Sequence, residues 1–356
     1  MARPAPAPEL TCLELRGKPY AMGLAHGEEL RPAIQQLCEE RVDLTIAWAA
    51  RRGRQLCADE LLGAMEPFLV AHQRYAPAVW DELEGIAAGA AVSLEALLIG
   101  NGYTDIRDTT VYGVAAPGHC TTFSALGEAT ADGEVYVGQT WDMDLAMLPH
   151  VIACRRRPTD GPETLAVTTA GCLSLIGVNE HGLAVGNSNV TPRDARPGVM
   201  YLALIHQALA QADLAAATGA IAEAERASGH HYYLADARNA VHLEVTATRV
   251  AELPRDGVCH TQSNDYRHPS LADLAVPPLP GGRSVERRCR LAEELAARGP
   301  LTVEAMQASL EAEGVRVDPP VDRVVSCAAA VLHPAGRRMW VTHGPPRPGH
   351  WHGLAL

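Results

Sequence analysis

Few side chains in this sequence can do covalent chemistry, and most are scattered. The nine cysteines (Cys12, Cys38, Cys57, Cys120, Cys154, Cys172, Cys259, Cys289 and Cys327) are odd in number and never spaced as CxxC. That spacing is neither a disulfide framework nor a zinc cassette, so most are expected to be reduced core residues. Cys120 differs. It falls in 111–122 (VYGVAAPGHCTT), where Gly113, Pro117 and Gly118 predict a loop. A loop lets a thiol be approached, and the following Thr121 and Thr122 supply hydroxyls that can hydrogen-bond nearby. On composition alone a structural and a nucleophilic cysteine both stay open.

The fifteen histidines raise metal chemistry, above all His343, His350 and His352 near the end. They lack carboxylate or cysteine partners at ligand spacing, so no metal site is expected there. His230 and His231 begin a strand pattern, which sends their side chains to opposite faces. Lys18 is the only lysine, which removes most Schiff-base and phosphate-lysine chemistry. Walker A, GxGxxG, HExxH, EF-hand and GxSxG patterns are absent from the sequence.

What must position Cys120 is a chain of 356 residues, long enough for two domains or one large layered one. Hydrophobic residues make up 47 % and charged residues 20 %, a soluble globular balance. Aromatics are only 4 %, so Ala, Leu and Val must fill the core and no stacking platform for nucleic acid is expected. The net charge of −12 repels phosphates, which excludes nucleic acid and anionic membranes as partners. The opening MARPAPAPEL lacks an apolar signal core, and no run of ~18 apolar residues occurs. A cytoplasmic location is expected.

Residues up to about Gly100 read as helical. Pro67 and Pro77 bracket one segment, and 79–98 forms another, broken near Gly89 and Ser93 and restarting at Ser93 and Glu95. Beyond the 111–122 loop the pattern is strand-like at 134–139, 165–169, 172–178 and 183–187, punctuated by glycines. Helices return over 200–228, broken around Ala212 and Asp213. Hairpins follow at 231–236 with 241–246, and at 324–332 with 338–342. The segment 276–282 (VPPLPGG) reads as a rigid loop. This succession is α+β.

The motif GHCTTF at 118–123, followed by GQTWD at 138–142, resembles the acyl-coenzyme A:isopenicillin-N acyltransferase family of N-terminal nucleophile (Ntn) hydrolases. The leader carries the matching Gly17, Pro19, Tyr20, Gly23, His26 and Gly27, and then ELEGIAAGAAVSLEALL at 82–98. GVNEHGLAV (177–185), GHHYYLADA (229–237) and SNDY (263–266) continue the resemblance in order, over roughly 17–343.

The resemblance implies a four-layer αββα sandwich with two antiparallel sheets. It also implies self-cleavage between His119 and Cys120, giving a helical leader 1–119 (α chain) and a catalytic 120–356 (β chain) within one domain. Cys120 would then carry both a thiol and a free α-amine, whose pKa near 7.7–8.0 suits it to take the thiol proton. Asp142 matches the acid beside the new amino terminus, and Thr122 a hydroxyl implicated in processing. Asn264 matches an oxyanion donor, with Asn189 a second polar contact and Asn187 competing for that register. Two departures stand out: His119 replaces the usual Gly, and Gln262 stands where His-Thr-Asn is common.

The implied function is cleavage or transfer of an acyl group at a small-molecule amide with a linear C–N bond. No cofactor or metal is implied. An acyl thioester could act as donor, and a homo-oligomer is compatible with the sequence. Alternatives are an unprocessed thiol hydrolase pairing Cys120 with His119 or His150, and an inactive binding protein on the same fold.

Overall fold

The structure is a computed structural model and describes residues 9–113, 120–255, 257–277 and 282–356. His119 and part of the 276–282 loop lie outside the described residues. The leader comprises β1 (Cys12–Gly17), α1 (Pro19–Glu29), α2 (Arg31–Ala50), α3 (Ala58–Gly63), α4 (Glu66–Tyr75), α5 (Pro77–Ala90), α6 (Leu94–Asn101) and α7 (Tyr103–Thr110). Pro67 and Pro77 occupy the first turns of α4 and α5, where a missing N–H costs nothing. Ser93 caps α6 by accepting the Ala96 N–H.

After Cys120 come β2 (Thr121–Ala125), β3 (Tyr136–Asp144), β4 (Val151–Pro158), β5 (Thr164–Thr169), β6 (Ile176–Asn179) and β7 (Ala184–Asn189). Then follow α8 (Tyr201–Leu209), α9 (Leu214–Ala222), β8 (His230–Ala235), β9 (Ala240–Val245), β10 (Val250–Glu252) and β11 (Cys259–Gln262). The chain closes with α10 (Ser284–Arg298), α11 (Val303–Leu310), β12 (Val324–His333), β13 (Arg338–Thr342) and β14 (Trp351–Ala355).

The strands form an eight-stranded sheet, β1-β4-β5-β6-β7-β8-β9-β10, and a six-stranded sheet, β11-β2-β3-β12-β13-β14. Among the described residues, neighbouring strands within the two sheets pair antiparallel except at one edge, where β1 of the leader runs parallel to β4. Side chains of β12 alternate between two cores. Ala328, Ala330 and Leu332 face the other sheet, while Ala329 and Val331 pack with Leu291, Leu295 and Met306 of α10 and α11. That alternation is what a sheet covered on both faces requires. The leader helices with α8 and α9 cover the eight-stranded sheet, which completes the αββα sandwich. Among the described residues no single helix is long and apolar enough to cross a membrane; α5 and α6 pass such a test only when joined across a 115° bend.

Several expectations are corrected. The leader opens with a strand, and its helices continue to Thr110. Thr121 and Thr122 belong to β2 rather than a loop, because they pair with Thr140 and Gln139 of β3. Strand structure in 172–178 begins only at Ile176, since Gly171 at φ +76° and the Cys172 N–H to Thr169 bond make a turn first. The GVNEHGLAV motif is turn chemistry: Asn179 Oδ1 accepts from the His181 and Leu183 N–H groups, with Gly182 at φ +79°.

The leader's glycines serve packing. A Cβ on Gly23 would lie 2.1 Å from the Glu82 carbonyl, and one on Gly85 2.2 Å from that of Tyr20. Only glycine lets α1 and α5 approach this closely. His26 on the same seam accepts the Gly171 N–H at 2.9 Å, and burial lowers its pKa to about 3, so it stays neutral.

Candidate active site

Cys120 stands immediately before β2, with its thiol on a cavity also lined by Thr104, Arg107, Trp141, Asp142, Asn187, Asn189, Tyr201 and His230. The cavity holds about 20 Å³ of open space, room for about one water. Burial pushes the thiol up to about 12, and the Asp142 charge acts in the same direction. The nearby backbone amides of Asp142 and Asn189 pull the other way. The Cys120 carbonyl accepts from Ser263 Oγ at 2.9 Å, which fixes the backbone at the start of β2.

Asp142 is buried at the far end of β3. Its carboxylate accepts from Thr140 Oγ1 at 3.1 Å, from Ser326 Oγ and from the Arg287 guanidinium. Burial pushes its carboxyl up, and Arg287 with the hydroxyls pulls it back down. Register explains the grouping: Ser326 of β12 lies directly opposite Asp142, and α10 brings Arg287 over the sheet.

The structure brings Cys120, Asp142 and Asn189 together at the cavity. Asn189 Oδ1 is buried there without a hydrogen-bond partner. Asn264 stands one layer back. Its Nδ2 donates to the Asn189 carbonyl at 2.8 Å, and its Oδ1 accepts from Ser263 and Ser284 hydroxyls. Thr122 is buried between β3 and β11, with its hydroxyl 3.5 Å from the Gln262 carbonyl and off the cavity lining. Asn187 lines the cavity too, where its Nδ2 meets His230 Nδ1 at 3.1 Å. Gln262 is a buried structural residue: its Nε2 donates to Glu244 at 2.8 Å. His150 lies 3.1 Å from Glu40 and does not line the cavity.

Sequence reasoning missed the long-range partners. Arg287 closes on Asp142 from 145 residues away. Asp105 of α7 lies 2.7 Å from His230 Nε2 and accepts the Tyr201 N–H at 2.8 Å. Arg107, buried on α7, lies 3.5 Å from Asp108, and its Nε has no partner. Burial raises the Asp108 carboxyl to about 6 against the pull of Arg107. The only available signal for these was the pairing of His230 with His231 at a strand start, which assigns them to different faces but names no partner.

Two sheets packed face to face between helices, antiparallel except at the β1–β4 edge, make the αββα sandwich of an Ntn-hydrolase fold. The sequence profile of the acyl-coenzyme A:6-aminopenicillanic acid acyl-transferase family matches residues 129–347. Because the match spans more than half of the chain, the protein belongs to that family. An uncharacterized protein of Archaeoglobus fulgidus is 24 % identical over 289 residues, covering 73 % of this chain and 46 % of the relative. The chain thus spans about half the length of that curated relative. A mutant of the conjugated bile acid hydrolase from Clostridium perfringens is similar at 10 % identity and a TM-score of 0.47, covering 67 % of this chain and 92 % of that one. Penicillin V acylase from Agrobacterium tumefaciens is similar at 11 % identity and a TM-score of 0.42, covering 63 % and 83 %.

Proposed function

We propose that the protein is a self-processing Ntn amidohydrolase or N-acyltransferase that works through a thioester on Cys120. The observation that carries this reading is a buried cysteine at the start of β2 that shares its cavity with Asp142 and Asn189, beside a carboxylate held by Arg287. In maturation the Cys120 thiol attacks the His119 carbonyl carbon. The C–N bond breaks, the nitrogen takes a proton and becomes the Cys120 α-amine, and the acyl group rests on sulfur. Water then hydrolyses the thioester and restores the thiol. The leader 1–119 and the catalytic 120–356 remain packed as one domain.

In turnover the α-amine takes the thiol proton, sulfur attacks the substrate amide carbon, and the proton passes to the departing amine. Water completes hydrolysis; a second amine completes acyl transfer. Burial favours the protonated thiol, so attack calls for a base beside it. The Asn189 backbone N–H is the donor for the oxyanion, worth on the order of 3 kcal/mol, and Asn264 positions it through its hydrogen bond to the Asn189 carbonyl. Asp142 stabilises the α-ammonium. Thr122 supports β2 during processing.

Arg107 and Thr104 are buried at the cavity with the Arg107 Nε and the Thr104 hydroxyl unpartnered. Buried donors favour a ligand that supplies acceptors. We therefore assign the substrate as a small amide bearing a carboxylate. Incubation with a panel of N-acyl amino acids, following amine release and the mass of the 120–356 chain, tests this. Amine release with an acyl adduct on that chain is expected. Release from no member, with no adduct, contradicts it.

A further inference from the structure

Apart from the cysteine site, three histidines from both sheets meet at one point. His231 of β8 and His242 of β9 lie diagonally on the inner face of the eight-stranded sheet. His260 of β11 comes from the opposing sheet, paired there with Ser124 of β2. One ring nitrogen from each of the three falls within 4.8 Å of the others. His231 Nε2 and His242 Nδ1 are 3.0 Å apart. The edge of a tetrahedron around zinc with Zn–N bonds of 2.0–2.1 Å is roughly 3.3 Å, so this pair already has the spacing of two ligands. We propose that His231, His242 and His260 bind a divalent transition-metal ion of the zinc type, fastening the two sheets together at the β11 edge.

Three features support a metal over a simple stack of rings. His242 Nε2 is held 2.8 Å from Ser124 Oγ, which leaves Nδ1 to face the metal and fixes the tautomer as an outer partner does. His231 is fully buried, and its Nε2 already meets His242 Nδ1 in a hydrogen bond, so both ligand nitrogens are aimed at one point that an ion would occupy in place of the shared proton. A cavity of about 270 Å³ opens beside His242 and His260, with Glu252 on its wall, and gives access for the ion and a fourth, solvent ligand. Imidazole without thiolate or a carboxylate cage selects zinc, nickel or copper over magnesium and calcium.

Two features set the adjustment that binding demands. The His260 ring lies 4.0 Å from that of His242 at 34°, so His260 must rotate to aim a lone pair at the ion. Arg267 stands 3.5 Å from His260 Nε2 and must move aside with it.

The test uses untagged full-length protein, treated with a chelator and titrated with Co²⁺ and then Zn²⁺. One Co²⁺ per chain with the visible d–d bands of a tetrahedral nitrogen site, displaced by Zn²⁺, is expected. His260→Ala, at a partly exposed position, should weaken binding by more than roughly tenfold while leaving the metal-free melting temperature unchanged. His242→Ala should abolish it. Three results would overturn the assignment: no bands with a Zn²⁺ Kd weaker than about 0.1 mM, undiminished binding in His260→Ala, or binding lost only when His343, His350 and His352 are replaced.

Discussion

His230 and His231 are consecutive residues that serve two different regions, and the contrast between those regions is instructive. His230 turns toward the leader, where Asp105 of α7 holds its ring beside the Cys120 cavity. His231 turns toward the other sheet, where its neighbours His242, His260 and Ser124 all follow Cys120 in sequence. The nucleophile side is therefore built from both sides of the proposed cut, and the histidine side from one. A chain severed at 119–120 keeps a working cavity only if the leader stays bound. The structure supplies the means: β1 is a strand of the eight-stranded sheet, and Glu82 of α5 makes a buried ion pair with Arg156 of β4 at 2.7 Å.

The largest effect belongs to Cys120→Ala. Both self-cleavage and amide turnover should vanish, while Zn²⁺ binding at His231, His242 and His260 persists, which separates the two regions in one variant. Next comes the leader's attachment. Glu82→Ala leaves Arg156 buried without its partner and should cost about 3–5 kcal/mol in urea unfolding, whereas replacing both residues by apolar ones should restore much of the loss. Asp142→Asn should lower turnover roughly a hundredfold, because the α-ammonium loses its counter-charge and Arg287 its partner, with the fold retained.

A pH experiment probes the leader seam with a smaller effect. His26 has a folded pKa of about 3 against 6.5 unfolded, so the unfolded chain takes up the proton first as pH falls. Its contribution is intact above pH 6.5 and declines steadily toward pH 3. Between pH 7 and pH 5 it should remove about 2 kcal/mol, and His26→Gln should flatten the stability profile by that amount. The smallest effect is on the nucleophile side. Arg107→Gln should raise KM about tenfold, or about 1.4 kcal/mol, for carboxylate-bearing amides and leave their neutral carboxamide analogues unchanged.

The two regions also differ in how far they could be read before folding. Cys120 and Asp142 stood out only because their short motifs resemble a known family, since residue type alone left a structural cysteine open, and the turn within GVNEHGLAV went unread although its Asn and Gly chemistry is local. The helix starts at Pro67, Pro77 and Ser93 were legible from residue types, since capping and φ restriction act within one turn. Arg287, Asp105 and the three histidines become neighbours only through strand register and the meeting of two sheets. No spacing along the chain encodes that meeting. The parallel β1–β4 pair was hidden in the same way, because β1 lies 134 or more residues before the strand it joins. The leader's glycines were visible as a motif, yet only the 2.1 Å approach at Gly23 reveals that they serve helix packing.

On the proposed mechanism Cys120 becomes an amino terminus and works from there. The most direct test is the intact mass of purified, untagged protein with sequencing of any new terminus, run beside a turnover assay. Two co-purifying species are expected, residues 1–119 and 120–356, the second beginning at Cys120, with only full-length chain in Cys120→Ala. A single species of 37.9 kDa that still releases amines from N-acyl substrates would contradict it.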